Sequence, residues 1–86
     1  MLKRDNGYRS CKATLAWCVL FGLRLNEARV RAGLTQKTLA RHAGCTREHV
    51  ERLENGRRRP GAFMTARLAQ VLEVSADWLL GLRSYP

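Results

Sequence analysis

Leu34 to Gly56 reads LTQKTLARHAGCTREHVERLENG, two short helical runs around one glycine, and this stretch decides the fold. Thr35 is placed to cap a helix over Gln36 to Ala43, because its hydroxyl can accept a free backbone N–H of the first turn. Leu39, Ala40 and Ala43 fall on one face of that helix, and Lys37, Thr38, Arg41 and His42 on the other. Gly44 supplies the positive φ that lets the chain turn back sharply. Thr46 caps the second run, Arg47 to Asn55. With Arg47 at zero, the wheel puts Glu51, Asn55, Glu48 and Arg52 at roughly 40°, 80°, 100° and 140°, and Leu53 and Val50 near 240° and 300°. One face is polar and the opposite face is core. A charged outer face is ordinary for a surface helix. Arg, Glu and Asn are also the side chains that address base edges in a major groove.

Working outward, 86 residues make one small domain with room for a single helical core. The net charge of +9 points to a polyanionic partner: nucleic acid, an anionic membrane or an acidic protein. Cys11, Cys18 and Cys45 are an odd number without paired spacing, which argues against a disulfide framework and for a reducing interior. Met1 to Lys12 is polar and basic with an Asn6-Gly7 turn signal, so a loosely ordered start is expected. Ala13 to Leu23 is almost wholly apolar but too short for a bilayer, which needs about 20 residues. A basic start before an apolar run resembles a signal peptide, yet no small-residue cleavage site follows. The expectation is an extra helical turn or two packed on the domain or on a partner chain, or a natural start that lies further in.

A first helix is expected over Gly22 to Ala32. Leu25, Ala28 and Ala32 form its core stripe, with Arg29 at the border, and Gly33 ends it. Leu23 and Val30 lie on the opposite face and need a cover, for which the apolar run at 13–21 and a second subunit are the candidates. Beyond the arginine run at 57–59, Pro60-Gly61 leads to a helix over Ala62 to Leu72 with Met64, Leu68, Val71 and Leu72 inward. Ser75 then caps a short helix over Ala76 to Leu80, with Asp77 in its first turn. Trp78, Leu79 and Leu80 are too many apolar groups for one buried stripe.

Leu34-Thr35-Gln36, Leu39-Ala40, Ala43-Gly44, Val50, Leu53-Glu54-Asn55-Gly56 and Pro60 together resemble the Cro and C1 repressor family of XRE-type helix-turn-helix domains. The resemblance covers Phe21 to Leu82. It implies an all-α, compact five-helix, lambda-repressor-like domain over 22–82, with an N-terminal extension at 1–21 and a tail at 83–86. It also implies that Arg47, Glu48 and Arg52 read bases, with Glu51 and His49 as lesser readers. Gln36 would meet a phosphate at a helix N-terminus, where free N–H groups and the dipole favour an anion. Thr35, Lys37, Thr46, Asn55, Arg57, Arg58 and Arg59 would also serve the phosphate backbone. The family further pairs a helix 1 arginine with the glutamate ending the recognition helix, here Arg29 with Glu54; each borders its helix's apolar stripe. Departures from the family pattern are Gly61 where a Ser or Thr cap is usual, Glu73 where a glycine ends the helix, and Ala62 and Thr65 in place of larger apolar residues. Family members often dimerise through this end of the domain.

His42, Cys45 and His49 form H-x2-C-x3-H, which offers only three ligands, and Cys45 sits where a turn residue usually packs inward; no metal or cofactor is expected. No catalytic grouping or phosphate loop is visible, and an enzyme is not expected. Two functions remain. One is a sequence-specific regulator of double-stranded DNA, a repressor acting as a homodimer on a palindromic operator. The other is an antitoxin-type module that holds a toxin and autoregulates, for which the apolar lead-in would be the docking surface. Both place the chain in a bacterial or phage-encoded cytoplasmic setting at the nucleoid, away from membranes.

Overall fold

The computed structural model describes residues 12–86 as five helices: α1 Lys12–Arg31, α2 Gln36–Ala43, α3 Arg47–Glu54, α4 Ala62–Leu72 and α5 Ala76–Leu79. The loosely ordered start expected over Met1 to Lys12 lies outside the described residues, except for Lys12, which opens α1. Among the described residues there is no strand, and no helix is long and apolar enough to cross a membrane.

The core is a shared apolar centre to which every helix contributes. Phe21 and Leu25 of α1, Leu39 of α2, Val50 and Leu53 of α3, Leu68 of α4 and Leu79 of α5 are fully buried. Ala28, Ala40 and Ala43 fill the narrow spaces between them. Thr35, Thr46 and Ser75 each accept a backbone N–H from the first turn of the helix they precede. Gly61 heads α4 without a side-chain cap. Thr65 is buried in α4, and its hydroxyl donates to the Gly61 carbonyl at 2.8 Å, so its polar group is satisfied within its own helix.

The first helix differs from expectation in both length and role. It begins at Lys12 rather than Gly22, so the apolar lead-in and the expected helix are one continuous rod. The lead-in therefore cannot fold back over Leu23 and Val30, and both stay exposed at 61%. It covers the other end of the domain instead. Trp17 donates its indole N–H to the Leu80 carbonyl at 2.6 Å, Leu20 lies against Gly81, and Cys18 is buried. Of the surplus apolar groups near α5, Leu80 is half-buried beside Trp17, while Trp78 and Leu79 are buried in the common core, with the Arg24 guanidinium 5.2 Å from the Trp78 ring centroid. Smaller differences lie at helix ends. Ala32 is exposed beyond α1, α3 stops at Glu54, and α5 stops at Leu79.

Two backbone positions carry opposite constraints. At Gly22, inside α1, a Cβ would lie 2.5 Å from the carbonyl oxygens of both Leu53 and Glu54, so only glycine lets the end of α3 rest on α1. Glu73 ends α4 in the left-handed region at φ 56, where a side chain is disfavoured. Gly22→Ala should lose about 1–3 kcal/mol in urea denaturation through overpacking, although alanine is the better helix former. Glu73→Gly should gain about 1 kcal/mol.

Candidate nucleic-acid interface

The interface is built on α2 and α3. Gly44 makes the turn at φ 77 and donates its N–H toward the Ala40 and Arg41 carbonyls, which closes α2. Thr46 then starts α3, accepting from the His49 N–H at 3.1 Å. Val50 and Leu53 are fully buried, and that fixes the rotation of the helix about its axis. Arg47, Glu48, Glu51 and Arg52 are consequently exposed together on the outer side, His49 is half-buried, and Asn55 caps the C-terminal end in the open. Arg57, Arg58 and Arg59 follow as an exposed run. Thr35 and Lys37 are exposed at the start of α2. Lys37 and Arg47 line a shared depression with Arg41, a second cation of α2 that the motif did not single out.

Glu54 is the structural centre of this arrangement. Its carboxylate receives Arg29 Nε at 2.6 Å and Arg29 Nη2 at 3.3 Å. Asn26 Nδ2 and Gln36 Nε2 donate to the same group at 3.0 and 2.9 Å. Arg29 also donates to the Leu34 carbonyl at 2.8 Å. Both charged side chains are well buried, with 14% of Arg29 and 4% of Glu54 exposed. Asn26 carries no mark in the sequence beyond lying three residues before Arg29, one turn along the same helix. Gln36 has a partner within the protein besides the phosphate expected for it. Its amide nitrogen donates one of its two N–H groups to Glu54, so the side chain keeps a donor that could serve a phosphate beside the backbone N–H groups of the first turn of α2.

The ionisable groups follow from these surroundings. Burial alone would raise the Glu54 carboxyl, but the hydrogen bonds from Arg29, Asn26 and Gln36 together with the Arg29 charge hold it below its ordinary value. Burial, then the positive charges of Arg58 and Arg52, hold the His49 imidazole below its ordinary value. That ring is therefore neutral at pH 7 and able to accept as well as donate. Burial raises the Cys45 thiol, with Arg67 working against it, so the thiol stays protonated. His42 is exposed, and among the described residues no three His, Cys, Asp or Glu side chains converge as a metal site.

The family described as "Helix-turn-helix domain" matches residues 20–79, and the buried and exposed faces of α2 and α3 lie within that span. The chain belongs to this family, in its Cro/C1-like form. It is 34% identical over 61 residues to the SPbeta prophage-derived uncharacterized HTH-type transcriptional regulator YonR of Bacillus subtilis (strain 168). That match covers 71% of this chain but only 56% of the relative, so the chain spans about half of that protein's length. Among solved structures it is similar to the restriction-modification controller protein C.AhdI from Aeromonas hydrophila, with TM-score 0.71 and 38% identity. This similarity covers 74% of this chain and 97% of the other.

The buried Arg29–Glu54 pair contrasts with Arg31–Glu27, a 2.9 Å pair on the surface of α1. Arg29→Ala should cost about 3–5 kcal/mol by leaving a buried charge uncompensated. Arg31→Ala should stay within about 0.5 kcal/mol in the same thermal melts. A depressed carboxyl stabilises the fold above its unfolded pKa, about 4.3 for glutamate, and that contribution is lost as pH falls through the lower folded value. The melting temperature should therefore fall on acidification below this range, and Glu54→Gln should reduce the fall.

Proposed function

We propose that the chain is a sequence-specific regulator that binds double-stranded DNA with α3 in the major groove. One observation carries this reading. Arg47, Glu48, Glu51 and Arg52 stand exposed on a helix whose opposite face is locked into the core, so their orientation is set before any ligand arrives. An arginine aimed at guanine O6 and N7 is the commonest specific contact of this kind, and a glutamate can accept from cytosine N4. Arg57, Arg58 and Arg59, Asn55, the two capping threonines and the N-terminus of α2 would grip phosphates and set register. The regulator YonR and the controller C.AhdI are the relatives whose described roles agree with this reading.

The finer form of the proposal is a repressor that dimerises on a palindromic operator, with half-sites about 34 Å apart. In its favour, Phe63 is 71% exposed on α4, and the same helix supplies Ala62 and Ala66 to an apolar depression shared with Trp17, Pro60 and Leu80. A second reading is the antitoxin-type module. The observation behind it is the apolar stripe of α1, where Leu15, Val19, Leu23 and Val30 all remain about half exposed or more.

Selection of bound sites from random duplex DNA tests both readings. A palindromic consensus is expected, and an absence of enrichment would favour the protein-binding module. In the same assay Arg47→Ala and Arg52→Ala should each relax base preference at a defined position by about 1–3 kcal/mol. Arg58→Ala should weaken all sequences alike and flatten the salt slope by about 0.9. Identical behaviour of the three variants would mean that the base readers are misassigned.

A further inference from the structure

The first two turns of α1 lie ahead of the family match at 20–79, and the recognition-helix architecture does not account for them. Their neighbours suggest what they do. From Glu54 onward the chain runs back along α1 in reverse order. Glu54 meets Arg29 and Asn26, and the Leu53 and Glu54 carbonyls rest on Gly22. Gly56 then passes so close to Val19 that a Cβ on it would lie 3.2 Å from the Val19 Cα. Arg57, Arg58 and Arg59 line a shallow depression whose other wall is Thr14, Leu15 and Cys18. On the other flank, Trp17 shares an apolar depression with Pro60, the residue that follows the arginines, and is fixed by its bond to the Leu80 carbonyl. The loop is thus flanked on both sides by residues 14–19, with close contact at Val19 under Gly56.

We propose that Thr14 to Val19 is a brace that keeps the Gly56–Arg59 loop in its phosphate-gripping conformation, with Trp17 and Val19 as positioning residues that act through the loop. The proposal rests on the DNA-binding reading above. Its physical basis is ordering entropy: a loop already fixed in the free protein loses less freedom on binding. Without the brace the same arginines would still reach the same phosphates, but only after the loop had been ordered.

The test uses Trp17→Ala, which keeps the helix but removes the indole that lies beside Pro60 and bonds the Leu80 carbonyl, and Val19→Ala, which thins the contact under Gly56. The Gly56 and Arg57 amides report on the loop, because they are bonded to the Leu53 and Arg52 carbonyls at 3.2 and 2.9 Å. In Trp17→Ala, hydrogen exchange at these two amides should accelerate about tenfold while the amides of Val50 and Leu53 keep their protection. Affinity for a selected duplex should fall about tenfold at fixed salt, with base preference and salt slope unchanged, since no phosphate contact is lost. Val19→Ala should move both readouts the same way by about threefold, and it carries the test if the Trp17 variant fails to fold. Unaltered exchange at Gly56 and Arg57 would overturn the proposal. So would a flattened salt slope, which would mean that the first turns contact DNA themselves. If the unmodified chain bound no duplex, the regulator reading would fail, and the exchange measurement alone would decide whether the brace exists.

Discussion

The fold depends on one buried carboxylate. Glu54 ends α3, close to the helix C-terminus, where the macrodipole disfavours a negative charge. Burial adds a desolvation cost that no single neutral hydrogen bond would offset. Arg29, Asn26 and Gln36 converge on it from α1 and from the first residue of α2, so three helices are tied at one atom group. Because Gln36 begins α2 and Glu54 finishes α3, the node sets how the two helices lie relative to each other. That relation is what presents Arg47, Glu48 and Arg52 as a single surface.

The node works only because α1 can come very close to α3. Gly22 places the backbone of α1 directly under the last carbonyls of α3, and any larger residue would lift α3 and lengthen the bonds to Glu54. Packing and electrostatics are therefore not separate contributions here. The close crossing excludes water from the ion pair, and the ion pair fixes the register in which the crossing can occur. Gly56 repeats the device one turn further along, where it lets the chain after α3 settle onto Val19.

Much of this was legible in the sequence, for physical reasons. The α2 and α3 spans follow from short amphipathic runs bounded by Thr35, Gly44 and Thr46, and each of these residues has a local function that does not depend on tertiary context. The α1 boundary was hidden because residues 13–25 are apolar on nearly every side, which leaves no periodicity to mark where the helix begins. Leu23 and Val30 called for a cover that the rod cannot supply, and the real contacts of the lead-in, Trp17 to Leu80 and Leu20 to Gly81, join residues more than sixty positions apart. The position of Gln36 was hidden for a related reason. A helix N-terminus advertises anion binding from local sequence alone, whereas the carboxylate that takes its amide arrives from another helix.

Charge then separates what holds the protein together from what it offers to a partner. Seven carboxylates cannot neutralise sixteen lysines and arginines. The free chain thus carries a self-repulsion that favours expansion, and screening or a polyanion relieves it. Salt should act on fold and interface in opposite directions. It weakens phosphate contacts by reducing the gain from counterion release, while it screens repulsion among the surface arginines. The Arg29–Glu54 pair stands largely outside this exchange, because buried pairs are screened far less than exposed ones. Placing the one indispensable ion pair inside and the surplus cations outside lets the surface field respond to ionic conditions while the geometry of α3 stays fixed.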